Sequence, residues 1–265
     1  MKTVGIIPSR MNSMRFPGKA LADIGGVPMI VRVFYAARES GALDEVYVAT
    51  DSPEITSVCL KQNIPVLRTA DTHQNPTSRT AEAASMVKAN YYVMIGGDEP
   101  LLHPEDIRNV VTEGILYLKG AAQNAQKAIQ SGTTAGNVFV VNAMAVIHDS
   151  DEAADCSNIK VVCDAQGGGI SAFRKLSAAD TPAGLSAQLW HKFVSIGLYT
   201  KEALDFFTAT PPGPREKAEQ FDLLRFIEHE VPVFFLEIRH RTLSVDTPSD
   251  LEKVICMLEH RKGNE

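Results

Sequence analysis

The segment Gly5-Ile6-Ile7-Pro8-Ser9-Arg10-Met11-Asn12-Ser13-Met14-Arg15-Phe16-Pro17-Gly18-Lys19 decides the fold of this chain. Its apolar start is typical of a buried parallel strand, and Pro8 is expected to end the hydrogen-bonding ladder. The loop that follows carries three cations around a Pro-Gly turn: Arg10, Arg15 and Lys19. Because ligands of open α/β sheets bind at the carboxyl ends of the strands, these cations predict an anion site, most simply for the phosphates of a nucleotide. A solvated basic loop is the alternative interpretation.

The rest of the chain alternates between helix and strand patterns. Apolar residues recur at helical spacing over residues 29–37, and strands are predicted at residues 45–50, 65–67 and 91–95. Strand, helix and strand in this order imply right-handed parallel crossovers. The sequence therefore predicts a doubly wound α/β fold with a mainly parallel, Rossmann-like sheet, in a single domain over residues 1–265.

Composition excludes several classes of protein. A net charge of -6 over 265 residues argues against a nucleic-acid binder, which usually carries a basic excess. The four cysteines lack CxxC spacing, so neither a zinc site nor a disulfide framework is indicated. No apolar run approaches the roughly 20 residues that span a membrane, and the first residues lead directly into a strand, without a signal peptide. We expect a cytoplasmic protein with no nucleic-acid or membrane partner.

Two acidic motifs are candidates for metal binding. Gly96-Gly97-Asp98-Glu99-Pro100 follows the strand at residues 91–95. A carboxylate at the end of a strand suits Mg²⁺ held against phosphates, and the two glycines would allow a ligand to approach closely. The alternative is that Asp98 forms a turn or caps the helix after Pro104. Near the other end, Asp246-Thr247-Pro248-Ser249-Asp250 is a natural helix-capping sequence, and capping explains it as well as function does.

Two motifs in the first loop resemble the signature of the sugar-acid cytidylyltransferases, especially those that act on 3-deoxy-manno-octulosonate (Kdo): Ile7-Pro8-Ser9-Arg10 and Arg15-Phe16-Pro17-Gly18-Lys19. The resemblance implies a nucleotidyltransferase that moves CMP from CTP to an acidic small-molecule acceptor and releases pyrophosphate, as in lipopolysaccharide biosynthesis. It also implies a homodimer, and Mg²⁺ held by Asp98 and Asp246. Arg10, Lys19 and Asp98 would be catalytic, and Arg15 and Gly18 would bind substrate.

Later motifs extend the resemblance over nearly the whole chain. Thr77 and Arg79 match a family string at the nucleotide and sugar site, although Pro76 and Ser78 stand where glycine and an acid are usual. A cation in the first turn of a helix opposes the helix dipole, which suggests that Arg79 has another partner. In related enzymes a small β-hairpin lobe, here at about residues 158–199, serves the acceptor sugar and the dimer contact.

That lobe and the segment after it provide the predicted acceptor residues: Lys160, Arg174, Tyr199, Glu219 and Asp222. The alternative for a charged hairpin residue is simple solvation. Gly96, Ser195 and Leu223 replace family residues that contact sugar hydroxyls, and each lost hydrogen bond is costly for a polyol. Kdo is therefore predicted not to be the best acceptor, and another acidic sugar or a small phosphonate is the alternative. An inactive nucleotide-binding protein is a further alternative.

Overall fold

A computed structural model describes residues 1–13, 15–130, 139–175 and 190–262 of the chain. The chain divides into two compact units, of which the first comprises Met1–Arg108 and His240–Glu265 and the second comprises Asn109–Arg239. The prediction of one domain over residues 1–265 stays a prediction. None of the described helices is long and apolar enough to cross a membrane.

The described residues alternate between strands and helices along most of the chain. The strands are β1 (Thr3–Ser9), β2 (Asp23–Ile24), β3 (Val27–Pro28), β4 (Glu45–Thr50), β5 (Val66–Arg68), β6 (Tyr91–Ile95), β7 (Val140–Val146), β8 (Lys160–Cys163), β9 (Gly169–Phe173), β10 (His191–Tyr199) and β11 (Val233–Glu237). The helices are α1 (Met29–Glu39), α2 (Pro53–Lys61), α3 (Pro76–Met86), α4 (Pro104–Gln130), α5 (Ser150–Ala154), α6 (Lys201–Ala209), α7 (Pro214–Glu219), α8 (Leu224–Glu228) and α9 (Pro248–Lys262). A short 3-10 helix covers Lys19–Leu21.

The first unit is built on a parallel sheet with the strand order β6-β1-β4-β5. Helices α1, α2 and α3 connect its consecutive strands, which confirms the predicted doubly wound α/β class with a mainly parallel sheet. The predicted apolar stripe of α1 is buried and includes Met29, Ile30, Val33, Phe34 and Ala37. This packing directs the loop after β1 to the carboxyl edge of the sheet.

Strand β1 continues past Pro8, contrary to the prediction that the ladder ends there. Pro8 is paired with Ala49 and Ser9 with Thr50, both on β4. Pairing with β6 stops at Ile6. The missing N–H of proline therefore limits the ladder with one neighbour only, as expected for proline near the end of a strand.

The second unit contains an antiparallel and mixed set of strands. β10 is antiparallel to both β7 and β8, and β11 is parallel to β7. β8 and β9 form the predicted β-hairpin, which is therefore confirmed. Its turn is closed by the Asp164 carboxylate, which accepts the backbone N–H groups of Gln166 and Gly168 at 2.8 Å each. Residues 176–189 of the predicted lobe lie outside the described residues.

Gly197 leaves space for the ring of Tyr199. A Cβ atom at Gly197 would lie 2.7 Å from Cε2 of Tyr199 and 2.8 Å from its hydroxyl oxygen. Tyr199 is fully buried, so its ring has no open space into which to move. A side chain on this glycine would overpack the second unit.

We therefore expect Gly197→Ala to lower the free energy of unfolding by about 1–3 kcal/mol, as measured by urea denaturation. Gly120→Ala is the matched control, because Gly120 lies in α4 and a Cβ atom there meets nothing within 4 Å. Replacing this helical glycine should instead raise stability by up to about 1 kcal/mol. Equal effects of the two substitutions would contradict the packing argument.

Candidate active site

The first loop folds back on itself before it delivers Lys19. Gly18 has a positive φ of 74°, which favours glycine, and its N–H donates to the carbonyl of Met11 at 3.0 Å. The short 3-10 helix begins at the next residue, Lys19. The predicted Pro-Gly turn therefore sets the position of the lysine side chain.

Lys19 lies between the two predicted metal ligands. Its ammonium nitrogen is 2.7 Å from Oδ2 of Asp98 and 3.2 Å from Oδ1 of Asp246, and it also donates to the carbonyl of Val245 at 3.0 Å. Asp98 and Asp246, called the acid pair below, thus converge on a single positive charge although they are far apart in sequence. Arg15 adds a second cation, 2.9 Å from Oδ1 of Asp246.

The acid pair also determines the charge state of Lys19. Burial by itself would lower the pKa of this lysine, but the negative charges of Asp98 and Asp246 outweigh burial and raise the pKa above its usual value. Lys19 is therefore a firmly charged group at neutral pH. Its side chain is 14% exposed and that of Asp98 is 31% exposed, so the cluster is sheltered but open to a ligand. Arg10, in the same loop, is exposed.

A second set of contacts holds the two acidic segments side by side. The N–H of Val245 donates to the carbonyl of Asp98 at 2.8 Å. The carboxylate of Glu99, which is buried, accepts the hydroxyl of Thr242 at 2.9 Å and that of Ser244 at 2.8 Å. Sequence reasoning missed this positioning role of Glu99. Its position directly after Asp98 was the only local signal.

Helix capping and the acid pair use different side chains. At the start of α9, the carboxylate of Asp250 accepts the N–H and the hydroxyl of Thr247, and the Thr247 hydroxyl accepts the N–H of Asp250 in return. This reciprocal arrangement caps the helix. The carboxylate of Asp246 is directed at Lys19 and Arg15 instead.

Gly97 has a packing role that the sequence did not indicate. We expected the two glycines before Asp98 to allow a ligand to approach. A Cβ atom at Gly97 would lie 3.2 Å from the carbonyl oxygen of Pro8 and 3.4 Å from the side chain of Ile30. The glycine therefore allows the end of β1 and helix α1 to pack closely against this turn.

Arg79 and Thr77 are held by protein groups. Arg79 is buried, forms an ion pair with Asp51 at 2.6 Å and donates to the hydroxyl of Thr69 at 2.6 Å. The expectation that this arginine has another partner is met by Asp51, at the end of β4. Thr77 is fully buried and does not cap α3, because the cap is Asn75, whose side chain accepts the N–H of Ser78 at 2.8 Å.

The candidate acceptor residues in the second unit hold one another. Lys160 is fully buried, and its ammonium group donates to the carbonyls of Asp155, Asn158 and Arg174 at 2.6–3.0 Å. Burial lowers the pKa of this lysine. The guanidinium of Arg174 donates to four backbone carbonyls, those of Cys156, Ser157, Glu219 and Gln220. These cations are neither solvated nor, in this arrangement, directed at a ligand.

The other candidates of this unit lie around a break between two helices. The predicted single helix over residues 219–225 is wrong, because α7 ends at Glu219 and Gln220 has a positive φ of 50°. The carboxylate of Glu219 accepts the N–H of Arg174 at 2.8 Å. Asp222, Leu223 and Tyr199 are buried. The structure thus groups Arg15, Lys19 and the acid pair in the first unit, and Lys160, Arg174 and Glu219 in the second.

The comparison with known proteins agrees with the motifs in the first loop. Residues 4–234 match the family model described as cytidylyltransferase. The chain belongs to the cytidylyltransferase family. It is therefore similar to nucleotidyltransferases over most of its length, including both compact units.

Two relatives of this cytidylyltransferase have the same printed name, 3-deoxy-manno-octulosonate cytidylyltransferase. The protein of Koribacter versatilis is 31% identical over 261 residues, which cover 98% of this chain and 92% of the relative. The protein of Geobacter sulfurreducens is 33% identical over 268 residues and is covered completely. The similarity thus extends over both proteins from end to end.

Solved structures agree with the fold. The structure of a CMP:2-keto-3-deoxy-manno-octonic acid synthetase complexed with CTP has a TM-score of 0.80 and 28% identity, covering 98% of this chain and 100% of the other. A glucose-1-phosphate thymidylyltransferase from Bacillus anthracis has a TM-score of 0.67 at 15% identity and shows the fold alone. The predicted nucleotidyltransferase fold is confirmed.

Proposed function

We propose that this cytidylyltransferase transfers CMP from CTP to Kdo and releases pyrophosphate. The observation that carries the proposal is the end-to-end similarity to enzymes named for this acceptor, at 31–33% identity over 98% of the chain. The similar synthetase that was solved with CTP supports the nucleotide. The grouping of Lys19 and Arg15 with two carboxylates supports a site for phosphates and a cation.

Mg²⁺ is the proposed cofactor, and the acid pair fits it. Both carboxylates already converge on one cationic atom, the ammonium nitrogen of Lys19. Carboxylate oxygens are the ligands that Mg²⁺ prefers, usually one or two of them together with substrate phosphates. Asp98 and Asp246 would hold the ion, which when bound neutralises charge on the phosphates.

The residues of the first loop would bind and orient the triphosphate. In the proposed reaction an acceptor hydroxyl attacks the α-phosphorus, the bond from that phosphorus to the β-phosphate breaks, and pyrophosphate leaves. Such a transfer depends on positioning and on charge stabilisation, so no protein nucleophile is required. Arg10, Arg15 and Lys19 provide the positive charge for the triphosphate and for the leaving pyrophosphate.

Lys19 can serve the phosphates only if it gives up part of its contact with the acid pair. In the absence of nucleotide, its ammonium group and a divalent cation would compete for the same two carboxylates. The proposal therefore assigns Lys19 two partners, the acid pair before the substrates bind and the phosphates afterwards.

Steady-state kinetics with CTP, Mg²⁺ and Kdo test the acceptor. We expect a kcat/KM for Kdo of about 10⁴ M⁻¹s⁻¹ or more, which is the ordinary range for an enzyme acting on its own substrate. Pyrophosphate release that depends on Kdo would rule out an inactive nucleotide-binding protein. No release with any acceptor would contradict the enzymatic proposal.

Another acidic acceptor is the second candidate. Ser195 and Leu223 stand where related enzymes contact the sugar, and Lys160 and Arg174 already bind backbone carbonyls. Each missing hydrogen bond to a hydroxyl costs about 1–3 kcal/mol, so two or three would weaken Kdo by orders of magnitude. A screen of acidic sugars and phosphonates in the same assay would identify this case by a kcat/KM far above that for Kdo.

A cytoplasmic homodimer is part of the same proposal and is supported by the resemblance to the family. Light scattering during size-exclusion chromatography measures the oligomeric state directly. We expect about twice the chain mass of 28.8 kDa. A mass equal to that of one chain over the working concentration range would contradict the homodimer.

A further inference from the structure

We propose that His103, Glu105 and His240 form a binding site for a divalent transition-metal ion such as Zn²⁺, distinct from the acid pair. Each of these residues offers a ligand atom, and the three atoms lie within 4.8 Å of one another. His103 and Glu105 stand at the start of α4, and His240 begins the second segment of the first unit. No part of the proposed transferase chemistry uses them.

The two imidazole rings are already side by side. Their centroids are 3.8 Å apart and their planes differ by 18°. Parallel rings at this separation present their nitrogens along the same edge, so a small side-chain rotation would bring one nitrogen of each to a shared ion. Two imidazoles and one carboxylate are a zinc ligand set that leaves a further position open. Imidazole also favours Zn²⁺, Ni²⁺ or Cu²⁺ over Mg²⁺.

A buried carboxylate prepares His240 as a ligand. Asp106 is almost fully buried, and one of its oxygens lies 3.0 Å from Nδ1 of His240 and 3.2 Å from the backbone nitrogen of the same residue. A carboxylate at this distance keeps the proton on Nδ1, which leaves the lone pair of Nε2 for an ion. Carboxylate, histidine and metal in series are the usual arrangement in protein metal sites.

The other two ligands leave the site accessible. Glu105 is exposed and His103 is half-buried, so an ion can reach them from solvent. Nδ1 of His103 receives only a long contact, 3.3 Å, from the backbone N–H of Glu105. That contact is weak enough to be exchanged, so this ring can present either nitrogen.

The proposed ion would join the two segments that carry the acid pair. Residues 98–106 and 240–246 are already linked through Asp106 and His240, through Glu99 with Thr242 and Ser244, and through Asp98 and Val245. An ion on His103 and His240 would add a bond at the end of this series opposite to Lys19. Its role would therefore be structural, since it would fix the relative position of both acidic segments.

Competition with a chromophoric zinc chelator tests the site in the full chain, after metal removal and with excess Mg²⁺. We expect one Zn²⁺ per chain. His103→Ala combined with His240→Ala should weaken that binding by about 100-fold or more, and Asp106→Asn should weaken it by about 10–100-fold. The control is His148→Ala with His229→Ala, two exposed histidines of the second unit, and should bind Zn²⁺ as the unchanged protein does.

Cobalt substitution provides a second measurement. Co²⁺ in the unchanged protein should give visible absorption bands of a low-coordinate site, and the bands should be lost in the double variant. If the double alanine variant does not fold, His103→Gln with His240→Gln replaces it. Zn²⁺ binding that is absent in the unchanged protein, or equally tight in the folded double variant, would overturn the proposal.

Discussion

Lys19→Ala is expected to lower kcat/KM by roughly 100-fold or more while the protein stays folded. The substitution removes a charged group from a site where negative charge moves between phosphates during the reaction, and losses of this kind commonly reach 10²–10³. The lysine is firmly protonated because the acid pair raises its pKa. Steady-state kinetics with CTP and circular dichroism of the same preparation measure the two quantities.

The same variant should bind a divalent cation more tightly in the absence of nucleotide. Without the ammonium group the acid pair keeps its negative charge and loses a competitor. A unit charge about 4 Å away is worth on the order of 1–4 kcal/mol, so the affinity for Mn²⁺, measured by electron paramagnetic resonance, should rise at least about tenfold. Slower turnover together with tighter cation binding is a result that general misfolding would not give.

Lys201→Ala is the matched control for this variant. Lys201 pairs with Asp205 on the surface of α6, so it too is a lysine next to a carboxylate, but it is exposed and outside the cluster. Its replacement should change neither kcat/KM nor Mn²⁺ affinity, because exposed pairs contribute little. Near-normal turnover in Lys19→Ala would remove the first loop from the active site.

The site could be predicted from the sequence where a local pattern determines the position of a side chain. The apolar run before Pro8 and the Pro-Gly turn predict that cations lie at the carboxyl end of the first strand, and Lys19 lies there. The order of strands and helices likewise predicts the parallel sheet. The pairing of Asp98 with Asp246 could not be predicted from residue patterns, because it depends on contacts of Glu99 with Thr242 and Ser244.

The second unit shows why the charged hairpin residues were harder to interpret. Lys160 belongs to a strand pattern in which a lysine is expected to point to solvent, yet three backbone carbonyls surround its ammonium group. Those carbonyls come from the loop before β8 and from the end of β9, so only the tertiary fold brings them together. Gln220 ends α7 with a backbone conformation that is uncommon for glutamine, and no local pattern indicated it.

Asp98→Asn is expected to lower kcat/KM by about 10²–10³ and to raise the Mg²⁺ concentration for half-maximal rate by about tenfold or more. Asparagine keeps the shape of the side chain but removes one of the two charges that would hold Mg²⁺. The free energy of unfolding should change by less than about 1 kcal/mol, because the carboxylate is partly exposed and Lys19 retains Asp246. Mg²⁺ titrations of the initial rate and urea denaturation measure these effects.

Asp205→Asn separates the loss of this particular charge from the loss of any carboxylate. Asp205 is the exposed partner of Lys201, so its neutralisation removes an acid from an ion pair without touching the acid pair. It should leave both kcat/KM and the Mg²⁺ requirement unchanged. A different result for Asp98→Asn, in which the melting temperature falls strongly while each folded molecule stays active, would assign Asp98 to a turn or cap. The positions of Thr247 and Asp250 already show that α9 is capped without Asp246. A cation requirement that changes only in the acid pair would therefore reflect metal binding and not helix stability.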